Sequence, residues 1–286
     1  GDPAAVIAGD NATSDQIADI REKLGLNLPL WQQFGIWIGN ILQGNFGESF
    51  FFKKTVAELI AQRIEPTLAL GICTIAFAIV VAVPIGVMAA YKQGSLFDRC
   101  VMGFAVIGFS VPGFVIGYCL IYVFAIELGW LPVQGYTRIG VNFWAFLERM
   151  VLPSITLSVG FIALISRITR ASVLEVLNED YIRTARAKGL PERTVIMRHA
   201  FRNTLIPLTT IIVVDIAGII GGAIITESVF GWVGMGTVFR RAISSYDLNL
   251  LMAAALITTT LAVSANLVAD LLYSALDPRV RTGAGK

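Results

Sequence analysis

The sequence predicts an all-α, polytopic bundle of membrane-spanning helices, and three observations predict it. Of 286 residues, 56% are hydrophobic and 15% are charged, where a soluble domain runs at about 45–50% and about 25%. Five apolar runs approach or exceed the roughly 20 residues that a helix needs to cross the hydrocarbon core. The linkers between those runs alternate between basic and neutral or acidic. A mean hydropathy of +0.73 agrees. These figures exclude a disordered chain, a collagen-like fibre and a nucleic-acid-binding domain, and they disfavour a cytosolic enzyme. The net charge of +2 is too small for a polyanionic partner.

The leading segment, 1–65, carries amphipathic helices. Thr13-x-x-Gln16 is a capping-box pattern, and Ile17, Ile20 and Leu24 share a face before Gly25. Leu30, Phe34, Trp37, Ile38, Ile41 and Leu42 keep helical spacing until Gly44 stops the run. Val56, Leu59, Ile60 and Ile64 repeat the pattern. Helices of this kind lie on the membrane surface or pack on the bundle.

The spans follow. Residues 66–91 and 100–126 contain no Asp, Glu, Lys or Arg. Residues 150–166 form a shorter run between Arg149 and Arg167. Residues 203–226 contain one acid, Asp215, and 248–269 ends at Asp270, which reads as structural. Pro84 and Pro112 are expected to bend their helices. Gly113-x-x-x-Gly117 and Gly218-x-x-x-Gly222 offer small faces for close helix contact. Cys73, Cys100 and Cys119 form no disulfide framework and read as small buried hydrophobes. Trp31, Trp37, Trp130, Trp144 and Trp232 fall near the expected membrane interfaces, as an aromatic belt would.

Charge gives the orientation. Linkers 92–99, 167–202 and 277–286 hold 13 Lys/Arg against 6 Asp/Glu, a net of +7. Segments 1–65, 127–149 and 227–247 hold 9 against 12, a net of −3. The basic group belongs in the cytoplasm, which puts segment 1–65 outside and the C-terminus inside. An external start without a preceding span leads to the expectation of a sixth span ahead of Gly1.

Linker 167–202 is the most organised. Its helical pattern through Glu179–Lys188 ends at Gly189, a natural C′ residue, and Pro191 bars simple continuation. A second short helix is expected there, with Pro191 and Glu192 in its first turn. A helix–Gly–helix unit parallel to the membrane is a docking surface.

At this point the sequence resembles a known family. The string Glu179-Asp180-Tyr181-Ile182-Arg183-Thr184-Ala185-Arg186-Ala187-Lys188-Gly189-Leu190, followed by Arg198-His199-Ala200-Phe201-Arg202-Asn203-Thr204-Leu205-Ile206-Pro207, is similar to the EAA loop of ABC importer permeases. The form is that of the dipeptide, oligopeptide, nickel and glutathione importers, B-type subunit. Gly1-Asp2-Pro3-Ala4, Ser95-Leu96-Phe97-Asp98, Glu227-Ser228-Val229-Phe230-Gly231-Trp232 and Leu276-Asp277-Pro278-Arg279-Val280-Arg281 resemble other pieces of that family. Arg183 stands where the general EAA pattern has Glu, as is usual in the peptide subfamily. Val233 replaces a usual Pro.

The resemblance implies the type I importer permease fold in a bacterial plasma (inner) membrane. Residues 1–65 are an extracytoplasmic segment, 66–278 the transmembrane permease domain and 279–286 a cytoplasmic tail. It implies a homologous second permease, two cytoplasmic ATPase subunits, an extracytoplasmic binding protein and surrounding lipids as partners. ATP and Mg are used by the ATPase subunits, and no cofactor is bound by this chain; the sequence contains no G-x-x-x-x-G-K-[ST] motif. Coupling contacts to the ATPases are expected at Tyr181, Thr184, Ala185, Arg186, Ala187, Lys188, Gly189, Leu190, Arg193, His199 and Arg202. Peptides are the favoured cargo, with nickel chelates and glutathione as alternatives.

Two residues stand apart from these motifs. Asp215 reads either as an acid on the translocation path or as a bundle-facing structural acid. His199, the sole histidine, has no companion ligand for a metal. An ion-coupled secondary transporter is the rival from another class. It calls for paired intramembrane acids or an inverted repeat, and neither is visible.

Overall fold

The computed structural model of the chain describes residues 3–8, 12–23, 25–49 and 51–276. Helices dominate. In order they are α1 (Pro3–Ala8), α2 (Ser14–Lys23), α3 (Leu30–Leu42), α4 (Val56–Tyr91), α5 (Leu96–Ser110), α6 (Gly113–Leu120), α7 (Phe143–Leu177), α8 (Asp180–Ala187), α9 (Glu192–Thr194), α10 (Phe201–Val229), α11 (Met235–Ser244) and α12 (Leu248–Leu276). Wider π-type turns continue α6 over Ile121–Glu127 and join α9 to α10 over Val195–Ala200. A hairpin of two short strands, β1 (Glu48–Ser49) and β2 (Lys54–Thr55), precedes α4. Among the described residues three helices are long and apolar enough to span a membrane, within Val56–Tyr91, Phe143–Leu177 and Leu248–Val268. Two bent pairs bring the number to five when each counts as one span. The chain divides into two compact units, 1–66 with 233–259 and 67–232 with 260–286.

In the first unit the capping box forms as expected. Thr13 N donates to Gln16 Oε1 at 3.0 Å, and Gln16 N donates to Thr13 Oγ1 at 3.4 Å. α3 covers the predicted residues, and Gly44 ends it at φ +77°. The third amphipathic stretch is not a separate helix. Val56, Leu59 and Ile60 are the first turns of α4, because no capping glycine stands between Ile64 and Pro66 to stop the helix. They form a core with Met235, Val238 and Ala242 of α11 and Leu250, Ala253 and Ala254 of α12. Asp247 ties the hairpin to this core. Its carboxylate accepts from Ser49 Oγ and, through Oδ1, from Leu250 N at 3.2 Å.

In the second unit α7 is the central helix, packed by α5, α6 and α10. Half of its most apolar window is buried inside the protein, against 22% for α4. Small residues let the neighbours approach. A Cβ on Gly86 of α4 would stand 2.6 Å from Thr169 Cβ and 2.7 Å from Ser166 O. One on Gly108 would stand 3.1 Å from Ala163 Cβ, one on Gly117 3.1 Å from Thr156 Cγ2, and one on Gly222 2.6 Å from Leu157 Cδ1. Both predicted small-xxx-small faces thus contribute to packing on α7. Of the two prolines, Pro112 breaks its span, with a turn of 104° between α5 and α6, while α4 continues through Pro84.

Several expectations are corrected here. Cys100 and Cys119 are exposed, not buried, and Cys73 is half-buried. In a membrane protein an apolar side chain has no need to face inward, since lipid is as apolar as the core. Trp232 does not belong to a belt. It is 2% exposed and packs edge-on to Tyr136, ring centroids 5.4 Å apart. The readings placed on Leu24, on Gly1-Asp2, on the Asp270 side chain and on 277–286 lie outside the described residues.

Candidate functional site

The organised linker folds as two helices around its own small core. Ile182 and Ala185 of α8 are buried with Val195 and Ala200, and Val176 and Leu177 at the end of α7 close the cluster. The spacing of Ile182 and Ala185 puts one face of α8 inward and leaves the other free. Gly189 takes φ +77°. Its N–H donates to Arg186 O at 2.9 Å, and Leu190 N reaches back to Ala185 O at 3.4 Å, a Schellman-like stop. No atom lies within 4 Å of a Cβ built at Gly189, so backbone angle and not crowding calls for glycine. Pro191 then caps α9, and the helical path continues through the π turn into α10 without a loop.

An ion pair clamps the corner. Arg186 Nη2 and Nε donate to Glu192 Oε1 and Oε2 at 2.7 and 3.2 Å. This hydrogen bonding holds the Glu192 carboxyl below the usual carboxylate range. Glu192 precedes the apolar run 203–226, so the clamp belongs to the linker and not to the span.

The predicted contact residues separate by exposure. Thr184, Arg186, Ala187, Lys188, Gly189, Leu190, Arg193 and Arg202 are exposed, while His199 is half-buried. Thr184 Oγ1 is turned back onto Asp180 O at 3.0 Å. Ala185, 6% exposed, faces the small core and supports the surface without presenting itself. Tyr181 is half-exposed, and its hydroxyl accepts from Asn203 Nδ2 at 2.6 Å. Asn203 had drawn no attention in the sequence, yet it joins α8 to the first turn of α10. Among the described residues no group of three His, Cys, Asp or Glu is placed to hold a metal.

Residues 82–282 match the family described as binding-protein-dependent transport system inner membrane component, and residues 1–71 match its N-terminal component. The chain belongs to this family of inner membrane transport components. A probable peptide ABC transporter permease protein, y4tP, of Sinorhizobium fredii is 47% identical over 281 residues, 98% of this chain and 90% of the relative. The glutathione transport system permease protein GsiC of Escherichia coli K12 is 40% identical, over 98% of this chain and 89% of its own. The fold is similar to that of a chain in a structure of the MetNI methionine ABC transporter, itself solved in inward-facing conformations, with a TM-score of 0.63 at 18% identity over 77% of this chain and 96% of that one. The protein is therefore a multi-pass permease subunit of an ABC importer.

In this permease two further acids are buried, Asp98 and Asp215. Asp98 of α5 is buried and accepts from Arg170 of α7 through both carboxylate oxygens. It also accepts from Gly94 N at 2.9 Å, while Ser95 Oγ caps α5 through Asp98 N. Ser95-x-x-Asp98 is itself a capping pattern, and that was the available signal; nothing in the sequence paired it with Arg170. Asp215, deep in α10, is 5% exposed, and its Oδ2 has no hydrogen-bond partner. Its helix neighbours Ile211 and Ile212 pack on Ala78, Ala82, Ile162 and Ile165.

Proposed function

We propose that this permease forms half of a translocation path for peptides and is driven by ATPase subunits that dock on α8 and α9. The observation that carries the proposal is the helical path that runs from Glu192 through the π turn into α10 as far as Ile216, ahead of the 58° bend before Gly221. A load applied at the α8–α9 corner passes along that path into a span with no loop to absorb it. The exposed face of α8 with Gly189, Leu190, Arg193 and Arg202 supplies the contact, and Tyr181–Asn203 and Arg186–Glu192 keep the corner stiff. The difference in binding energy between the two states of the ATPase pair shifts the permease between outward- and inward-open forms.

The remaining parts of the reading belong with it. Segment 1–65 lies outside, linker 167–202 and the C-terminus lie in the cytoplasm, and a homologous permease completes the path. Two ATPases, using ATP and Mg, and one binding protein complete the complex. Asp215 is the candidate on the path, since a buried acid with an unused oxygen suits a cationic amine. Peptide as cargo is supported by the peptide permease at 47% identity and the glutathione permease at 40%; glutathione is itself a tripeptide.

The test is Gly189→Asp in the assembled complex. Among non-glycine residues Asp and Asn enter the left-handed region most readily, and the Cβ there has open space. The fold should survive while ATP hydrolysis no longer drives uptake. Normal peptide uptake by this variant would overturn the docking assignment. Competition of labelled dipeptide uptake by glutathione and by unlabelled di- and tripeptides sorts the cargo.

A further inference from the structure

We propose that α3 is a monotopic lipid anchor: its open apolar face sits in the interfacial zone of the phospholipid bilayer, held by apolar burial and tryptophan without attraction to anionic lipid. The proposal goes beyond cargo and coupling and does not depend on either.

α3 is Leu-Trp-Gln-Gln-Phe-Gly-Ile-Trp-Ile-Gly-Asn-Ile-Leu, with no charged residue and no residue buried by protein. Leu30 and Leu42 are each 81% exposed, Trp31 70% and Phe34 60%. At about 100° per residue, these four with Ile38 and Ile41 fall within an arc of roughly 120°, the width of a core-facing stripe. Among the described residues, Leu30, Trp31, Phe34 and Leu42 of that stripe stay mostly uncovered, while Ile38 is 37% exposed and Ile41 is half-buried.

The other side of the helix shows where α3 lies. Gln33, Ile36, Trp37 and Asn40, with Phe34 at the edge of the stripe, line a cleft of about 700 Å³ together with Leu248, Asn249 and Met252 in the first turns of α12. α12 is a spanning helix, so α3 lies beside the point where a span leaves the bilayer. Gln33 Nε2 fixes the start of α3 by donating to Leu28 O at 2.7 Å. Leu248 and Met252, each 41% exposed at the start of α12, stand beside the uncharged stripe and extend its apolar surface toward the span. A soluble partner that must leave in each transport cycle would return the stripe to water every time, whereas lipid covers it permanently. α2 offers the contrast: its sequence, Ser-Asp-Gln-Ile-Ala-Asp-Ile-Arg-Glu-Lys, carries charges throughout and belongs in water. Interfacial helices commonly use Lys and Arg against anionic headgroups. α3 has neither, and Trp31 at the headgroup level takes that place.

The experiment uses the assembled transporter in phosphatidylcholine proteoliposomes, with Cys73, Cys100 and Cys119 replaced by serine and ATP-driven uptake verified. Nitroxides are placed by Trp31→Cys, Leu42→Cys, Gln32→Cys and Asn40→Cys. Labels at 31 and 42 should collide more with oxygen than with a water-soluble nickel chelate, and labels at 32 and 40 the reverse. The pattern should persist with anionic lipid and raised salt. Quenching by brominated phosphatidylcholine, read as the difference between wild type and Trp31→Phe, gives the same answer without a label. Equal nickel access at all four positions overturns the proposal. So does shielding that appears only with the binding protein, or depth that requires anionic lipid.

Discussion

Asp98 and Arg170 meet as a two-pronged ion pair, with Arg170 Nη2 donating to Asp98 Oδ2 at 2.8 Å and Nε donating to Oδ1. Their side chains are 5% and 22% exposed, and 72 positions separate them in the chain. The pair fastens the start of α5 to the last turns of α7, joining linker 92–99 to linker 167–202 ahead of α8. Removing one partner from a buried pair leaves the other charge uncompensated. Arg170→Met is expected to destabilise the permease by roughly 3 kcal/mol, seen as a lowered melting temperature in nanodiscs. Asp98→Asn combined with Arg170→Met should recover part of that loss, and a double variant as unstable as the single one would deny the pair this role.

The Arg186–Glu192 clamp makes the α8–α9 corner sensitive to acid. Glu192 titrates below its usual range because Arg186 donates to it. A group with a lowered folded-state pKa contributes stability above its unfolded pKa and loses it as pH falls through the folded value. The corner should therefore be tight at neutral pH and loosen below the ordinary carboxylate range. Both side chains are partly exposed, so the effect is about 0.2–1 kcal/mol. Protection factors of the 186–194 amides, taken against the intrinsic exchange rate at each pH, should fall with acid in the wild type, and that fall should flatten in Glu192→Gln.

Gly189 separates backbone need from space. Gly189→Asn should fold with little loss, while Gly189→Val should cost about 1–2 kcal/mol, because a β-branched residue resists the left-handed region. Circular dichroism melts of the reconstituted complex compare the two. If Val and Asn prove equal, the positive φ is not held in solution.

Gly86 and Gly103 form a matched pair of tests. Gly86→Ala drives a Cβ into Thr169 and the Ser166 carbonyl, and overpacking of this kind costs about 1–3 kcal/mol. Gly103, in α5, has nothing within 4 Å of a built Cβ. Gly103→Ala should stabilise by about 0.5–1 kcal/mol through helix propensity. Thermal shifts of opposite sign are expected, and shifts of the same sign would contradict the packing of α4 on α7.

Local chemistry was legible in the sequence, and distant pairing was not. The Thr13–Gln16 box, the limits of α3 and the stop at Gly189 each depend on a few neighbouring residues, and the sequence showed all of them. The apolar runs announced spans because length and lack of charge suffice for that. Asp98–Arg170 and Tyr181–Asn203 depend on tertiary placement that no short motif encodes. The exposure of Cys100 and the burial of Trp232 were misread for one reason. Hydropathy marks a side chain as apolar but cannot tell whether lipid or protein will cover it.

The turn at Pro112 also has a place in time. Synthesis delivers α5 and α6 before α7, and the residues that a Cβ at Gly117 would touch, Thr156 and Val229, lie further along the chain. During translation, residues 100–126 leave the ribosome as one apolar stretch, with none of the protein that later buttresses the bend. The packing that buttresses the angle between α5 and α6 therefore becomes available only once α7 and α10 have been made.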